Sequence, residues 1–181
     1  PQSPFYFFKI TIALLFIILT FSSSFALTYY SKMDGLWSDS NSWVTDKCGG
    51  SVNAGTYPKS GDEVIICDGI TITVEGNLSC KKLTVGTGSS GVISYSNAST
   101  TFLYVLSDTE LKPRARIEYK GNTGQKHFLA VEGDIKNEGL IDFRVDTDDY
   151  VIIEFLGNTD SKIVPSSGSW VLSTINLKKG I

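Results

Sequence analysis

The 181-residue chain contains one histidine, one methionine and three cysteines. These scarcities exclude sites built from paired histidines, from four cysteines around zinc, or from a haem-attachment motif. Charged residues are also few, at 19%, and 16 Lys and Arg stand against 19 Asp and Glu, for a formal net charge of -3. A nucleic-acid-binding protein needs clustered basic side chains to neutralise phosphates. The composition therefore predicts no cofactor of these kinds and no nucleic-acid partner.

Long hydrophobic runs are confined to the N-terminus. Residues 1–26 consist of a short start with Lys9, an apolar run from Ile10 to Phe21, and a small-residue exit that ends at Ala26. This three-part layout is typical of a secretory signal peptide. The apolar run has about 12 residues, whereas a membrane-spanning helix needs about 20, so an uncleaved anchor is the alternative. We expect cleavage, no membrane span afterwards, and a secreted or cell-surface protein.

From residue 64 onward, short apolar or alternating runs are separated by Gly, Asn, Asp and Ser. The runs have the length of strands, and the residues between them favour turns. In Leu140–Val145, for example, alternation places Ile141, Phe143 and Val145 on one face. No stretch of useful length shows the 3.6-residue period of a helix. The chain is therefore predicted to be all-β.

Strand spacing alone suits a sandwich, a barrel or a solenoid. The loops between the runs are very unequal, and a solenoid can hold such loops on its outside while its coils stay in register. We therefore predict a β-solenoid over residues 64–181, with a β-sandwich as the alternative. Residues 27–63 contain Trp37 and Trp43 and little alternation, so this segment is predicted to cap the open end of the solenoid core.

Four segments near the N-terminus resemble a known family. They are Gly35–Trp43 (GLWSDSNSW), Tyr57–Ile66 (YPKSGDEVII), Gly69–Val74 (GITITV) and Leu78–Val85 (LSCKKLTV). Three later segments resemble the same family, so that the resemblance covers nearly all of residues 34–180: Val151–Thr159 (VIIEFLGNT), Lys162–Val164 (KIV) and Leu172–Gly180 (LSTINLKKG). Together they resemble the N-terminal repeat region of large secreted bacterial surface proteins that carry a C-terminal type IX secretion sorting signal. The opening is also similar to the extracellular domain named for its eight glycines.

The resemblance implies a right-handed parallel β-helix in an exported, adhesin-like protein, and it implies no catalytic residues. This chain departs from the pattern by an insertion from Cys48 to Tyr57 and by lacking a sorting domain. Since it starts at Pro1 and shows no terminating signal at Ile181, we expect it to be part of a longer protein, truncated at the C-terminus.

Cys48, Cys67 and Cys80 all lie in the part expected to be exported, where disulfides persist. Three cysteines allow at most one internal bridge. We expect Cys80 to pair with either Cys48 or Cys67. The remaining thiol is expected to be buried or bonded to a partner outside this chain.

Four aspartates form the most acidic stretch: Asp142, Asp146, Asp148 and Asp149. Their oxygens could bind Ca²⁺, although the loop has no internal Gly and no distal Glu, so a solvated turn is the alternative. The same carboxylates would be the acids of a carbohydrate-active enzyme, a polysaccharide lyase or hydrolase of the β-helix type, if a groove held two of them about 5–10 Å apart. No catalytic residue is assigned from the sequence.

Trp37, Trp43 and Tyr57 are candidate contacts for an extracellular glycan, since large aromatic rings stack on sugars when they are exposed; burial in the core is the alternative. The sequence thus favours a secreted or cell-surface structural or adhesion module that contacts glycans or another surface component. The carbohydrate-active enzyme is the alternative.

Overall fold

The structure of the protein is a computed structural model that describes residues 26–119, 121, 124–143, 150–158, 160–164, 166–172 and 174–178. The predicted signal peptide lies outside the described residues except for Ala26. Within the described ranges, no helix has the length and apolar character needed to cross a membrane.

The described residues form short strands joined by turns, with one single-turn 3₁₀ helix at Ser40–Ser42. In chain order the strands are β1 (Thr28–Ser31), β2 (Gly35–Leu36), β3 (Trp43–Val44), β4 (Glu63–Ile66), β5 (Thr71–Val74), β6 (Asn77–Cys80), β7 (Lys82–Val85), β8 (Val92–Tyr95), β9 (Thr101–Val105), β10 (Thr109–Leu111), β11 (Arg116–Tyr119), β12 (Lys126–Val131), β13 (Ile135–Asn137), β14 (Leu140–Phe143), β15 (Tyr150–Phe155), β16 (Ile163–Val164), β17 (Ser169–Val171) and β18 (Thr174–Leu177).

From β4 onward, every third strand returns to the same sheet. Sheet A has the order β16-β13-β10-β7-β4-β1-β3, sheet B the order β17-β14-β11-β8-β5-β2, and sheet C the order β18-β15-β12-β9-β6. Neighbouring strands are parallel, except for the antiparallel pair β1 and β3. Three strands thus make one coil, and the coils stack into a parallel β-solenoid. The solenoid prediction is confirmed. The β-sandwich alternative is wrong, since sandwiches are built from antiparallel sheets.

The core consists of ladders of similar side chains that point inward from successive coils. Alternation within each strand creates them, because every second residue faces the interior. Residues with 0–8% exposure form one ladder in sheet B and one in sheet C, namely Ile72, Ile93, Ile117 and Ile141, and Leu78, Leu103, Leu129 and Ile153. Burial of each such side chain contributes about 1.5–3 kcal/mol. The predicted inward positions of Ile141 and Phe143 are confirmed, whereas Val145 lies outside the described residues.

Small residues form the corner between sheets A and B. The N–H of Arg116 donates to the carbonyl of Gly91, and the N–H of Leu140 donates to the carbonyl of Ala115, both within 2.9 Å. A Cβ placed on Gly139 would lie 2.2 Å from the Ala115 carbonyl oxygen. Because that oxygen belongs to the backbone, the neighbouring coil can approach this closely only if residue 139 is glycine.

Two tryptophans close the core at the end where β1, β2 and β3 lie. Trp37 and Trp43 are both 0% exposed, and their ring centroids are 5.3 Å apart at 69°. Tyr29 packs edge-on against Trp43 at 6.3 Å. The Trp37 indole N–H donates to the carbonyl of Pro58 at 3.5 Å, so the polar edge of this buried ring is satisfied.

Candidate functional site

The outer surface of sheet C carries a row of aromatic side chains. Strands β9 and β12 pair in register, with Phe102 beside Phe128 and Tyr104 beside Ala130. On the same strands Leu103 and Leu129 point inward and are 0% exposed, so the rings of Phe102, Tyr104 and Phe128 must lie on the outside. All three are only partly buried. These three residues are called the aromatic face below.

The rings of the aromatic face are ordered against one another. Phe102 and Phe128 have centroids 4.4 Å apart and planes within 2°. Flat side-by-side rings cannot approach so closely, so the two rings are stacked and stand upright on the sheet. Phe102 and Tyr104 are 5.8 Å apart and within 7° of parallel. The face is therefore a set of parallel rings rather than three independent side chains.

The outer faces of sheets A and B carry polar and charged side chains at the matching positions. In sheet A these are Thr84, Glu110 and Lys136, and in sheet B they are Ser94, Glu118 and Asp142. In sheet A the Lys136 ammonium group bridges Glu110 and Glu138, at 3.3 and 3.0 Å. Sheet C thus differs from the other two sheets by its stacked aromatic rings, whereas Tyr30 of β1 is a partly exposed aromatic on the outside of sheet A.

Asp142 lies on β14, directly beside Glu118 of β11. The two residues are only 4% and 9% exposed although they are on the outer side of sheet B. The Arg116 guanidinium lies 3.5 Å from the Glu118 carboxylate. Sequence reasoning missed the Glu118 neighbour, because it depends on the register between strands 24 residues apart.

The other predicted acidic residues, Asp146, Asp148 and Asp149, lie outside the described residues. Among the residues that are described, no group of three or more His, Cys, Asp or Glu could hold a metal ion. The predicted calcium site therefore stays a prediction, since three of its four aspartates are not among those residues.

The cysteines pair differently from the prediction. Cys48 and Cys67 form a disulfide with a Cα separation of 5.7 Å, and Cys80 is a buried free thiol. The expected bridge to Cys80 is therefore wrong. Cys80 points into the core from β6, whereas Cys67 follows β4 of sheet A, where the insertion that carries Cys48 reaches it. Burial raises the pKa of the Cys80 thiol, as does the charge of Asp62.

The tryptophans predicted to contact a glycan are not available to one. Trp37 and Trp43 are 0% exposed and pack on each other, so neither presents a ring face to solvent. Tyr57 is partly buried against the core, and the Lys59 ammonium group lies 3.0 Å above its ring centroid. At the first two positions the prediction is corrected in favour of the core, because the end of the solenoid requires large apolar side chains.

Asp68, which follows β4, organises the turn between β7 and β8. Its carboxylate accepts hydrogen bonds from the backbone N–H groups of Thr87, Gly88, Ser89 and Ser90, at 2.8–3.3 Å. Burial raises the pKa of the Asp68 carboxyl, but the hydrogen bonds from Ser90, Thr87 and Ser89 outweigh it and hold the pKa far below its usual range. The Asp68 carboxylate thus links two successive coils. The donors of these four hydrogen bonds are backbone N–H groups of the same chain.

An apolar depression of about 560 Å³ lies at the other end of the described stack. It is lined by Phe155, Ile163, Ile175 and Leu177, with Asp160 and Ser161 at its margin. Leu177 is 76% exposed. The interior ladders thus reach the surface here, because the coil of β16, β17 and β18 is the last one described.

Comparison with known proteins found no matching family model, no matching curated protein and no matching solved structure. The fold therefore defines the class of this protein, a parallel β-solenoid with one disulfide.

Proposed function

We propose that this chain is a structural and adhesive module of a secreted or cell-surface protein, one that extends other parts of that protein and contacts glycans. The single observation that carries the proposal is the parallel β-solenoid with an ordered aromatic face on one of its three sheets. Stacked coils make a stiff rod, because each coil buries its apolar interior on the next one.

Two further features support an extracellular setting. The Cys48–Cys67 disulfide fits an oxidising compartment, where such bonds persist. The layout of residues 1–26 is that of a secretory signal peptide. The resemblance to exported bacterial surface proteins points the same way.

A second candidate function, polysaccharide cleavage, is favoured by the register of β11 and β14. It places the carboxylates of Glu118 and Asp142 on neighbouring strands, which are about 4.8 Å apart in a sheet. Retaining glycosidases hold their two carboxyl groups about 5 Å apart. Against this candidate stands the small exposure of both residues, which leaves a polymer little access.

Export and binding test the proposal together. The full chain would be expressed with its own N-terminus in a bacterial host, and the exported product would be analysed by N-terminal sequencing. We expect a product that begins at Leu27, contains one disulfide and binds polysaccharide without shortening it. A product retained in the cytoplasm with reduced cysteines would contradict the proposal. Cleavage of a polymer, lost in Glu118→Gln and Asp142→Asn, would establish the enzyme instead.

A further inference from the structure

The aromatic face gives the proposed module a specific binding site. We infer that Phe102 and Tyr104 bind a neutral polysaccharide by stacking its pyranose rings on the ring faces that point towards β6, while Phe128 supports Phe102 from the opposite side. This inference rests on the proposed function, since it names the ligand class and the residues of a glycan contact.

The rings are not needed to fill the core. On β9 the inward side chains Leu103 and Val105 are 0% exposed and supply the interior of this coil. Phe102 and Tyr104 alternate with them on the outer side and keep part of their surface in water. Adjoining exposed apolar side chains on a soluble protein mark an interaction site more often than scattered ones do.

The rings are already ordered before any ligand binds. Phe102 stacks on Phe128 within 2° and lies within 7° of parallel to Tyr104. Each ring restricts its neighbour, so binding costs little side-chain entropy. Phe128 covers one face of Phe102, so the opposite face of Phe102 and the parallel face of Tyr104 are the ones that suit the flat, apolar C–H face of a pyranose.

Small polar side chains lie next to the rings on β6, the first strand of sheet C. In register, Asn77 lies beside Phe102 and Ser79 lies beside Tyr104. Asn77 is exposed and Ser79 partly exposed. Because Asn77 and Ser79 are smaller than the rings, they leave space next to the ring faces of Phe102 and Tyr104 that point towards β6. Their amide and hydroxyl groups can both donate and accept hydrogen bonds. A sugar needs this combination, since its hydroxyl groups lie at the rim of its apolar face.

The charge of this surface favours a neutral ligand. The outward residues of β6 and β9 are Asn77, Ser79, Phe102 and Tyr104, none of which is charged. The charged side chains of this face lie further along it, on β12, β15 and β18: Lys126 is exposed, and Glu154 is paired with Lys178 at 2.8 Å. An anionic glycan would be expected to meet arginine or lysine forks here, and these four positions offer none.

The size of the face favours a sugar chain over a protein. A stable protein–protein interface buries about 1,200–2,000 Å² in total. Two ring faces provide only a fraction of that area, whereas a pyranose ring is about as large as one aromatic ring. A short stretch of polysaccharide is thus the ligand whose dimensions fit.

The inference is tested on the exported full-length product by affinity electrophoresis in gels that contain one polysaccharide each: soluble starch, laminarin, xylan, galactomannan or hydroxyethyl cellulose. The test variants are Phe102→Ala and Phe102→Leu, the second of which keeps an apolar side chain but no planar ring. Tyr30→Ala is the matched control, because it removes a partly exposed aromatic from the outer face of sheet A. Circular dichroism and urea unfolding confirm that each variant is folded.

We expect at least one polysaccharide to retard the wild type and Tyr30→Ala equally. Its dissociation constant should rise about 10-fold or more in Phe102→Leu. Tyr104→Phe, which keeps the ring, should bind nearly as well as the wild type. Three results would overturn the inference: no retardation by any of the five polymers, unchanged binding by Phe102→Leu, or self-association that Phe102→Leu abolishes, which would assign the face to a second copy of the chain. Unchanged binding by Phe102→Leu would overturn the inference and leave the proposed function intact, whereas no binding to any polymer would also remove the glycan contact from the proposed function. Export and N-terminal processing are read independently of both.

Discussion

The indole N–H of Trp43 donates a hydrogen bond to the main-chain carbonyl of Trp37 at 2.8 Å, and the two rings pack edge to face at 5.3 Å. The bond satisfies a polar group that is fully buried. The pair thereby closes the end of the apolar core, where inward-facing ladders would otherwise meet water.

Truncation of this pair should destabilise the protein severely. We expect Trp43→Ala to lower the free energy of unfolding by about 3–5 kcal/mol, since it removes a buried aromatic side chain and leaves a cavity. Urea denaturation followed by circular dichroism measures the effect. Trp170→Ala is the control, because Trp170 is only partly buried at the far end of sheet B. If Trp43→Ala and Trp170→Ala lowered the free energy of unfolding equally, the capping role of Trp43 would be contradicted.

The disulfide should stabilise the protein, whereas Cys80 should stay unreactive. Loss of the bridge in Cys48→Ser should cost about 3 kcal/mol, because a separation of 19 residues makes a loop of moderate length. Burial and the raised pKa of Cys80 keep its thiol protonated at neutral pH. Peptide mapping by mass spectrometry should find Cys48 linked to Cys67, and Cys80 alkylated only in denaturant. A peptide that links Cys80 to either of the others would refute this assignment.

The turn bound by Asp68 should make stability depend on acid pH. A carboxyl with a lowered pKa in the folded state stabilises the fold above its unfolded pKa of about 3.9. This contribution is lost as the pH falls through the folded pKa, because protonation then removes the charge that the four N–H groups bind. Asp68→Asn should therefore be less stable than the wild type at pH 7.

The size of that difference can be checked by thermal unfolding at a series of pH values. We expect about 1 kcal/mol at pH 7, comparable to the loss of a helix-capping side chain. The gap between Asp68→Asn and the wild type should narrow steadily below about pH 4. A gap that stays constant down to the most acidic pH at which both proteins fold would show that the charge of Asp68 plays no part.

The corner between sheets A and B should reject even a methyl group. Gly139→Ala would place a Cβ 2.2 Å from the Ala115 carbonyl oxygen, so the backbone of one coil would have to shift. We expect a loss of about 1–3 kcal/mol in urea denaturation, the usual range for overpacking. Gly61→Ala is the matched control, since its Cβ would meet nothing within 4 Å. Its stability should change by no more than about 0.5 kcal/mol.

Most of the fold could be predicted from local patterns in the sequence. The two-residue alternation of Leu140–Phe143 placed Ile141 and Phe143 inside, and turn residues marked the ends of the strands. Three successive strands of this kind make one coil of the solenoid. The inward ladders thus follow from periodicity, which depends on neighbours in the chain.

Features that depend on distant residues were not accessible from the sequence. Phe102 and Phe128 meet only because β9 and β12 pair with an offset of 26 residues, an offset that unequal loops conceal. The alternation Thr101–Val105 did contain a signal, since it places Phe102 and Tyr104 opposite the inward Leu103. Likewise, Cys48 reaches Cys67 because the insertion folds back along sheet A.

The contact between sugar and aromatic face can be observed directly by nuclear magnetic resonance. Aromatic ¹³C–¹H spectra of the exported protein, labelled at Phe and Tyr, would be recorded during titration with a short oligosaccharide cut from a polysaccharide that retards it. We predict shifts at Phe102, Tyr104 and Phe128, while Tyr30 and Tyr57 stay unchanged. Shifts centred on Tyr57 or on the Glu118 and Asp142 surface, with the aromatic face unaffected, would contradict the account.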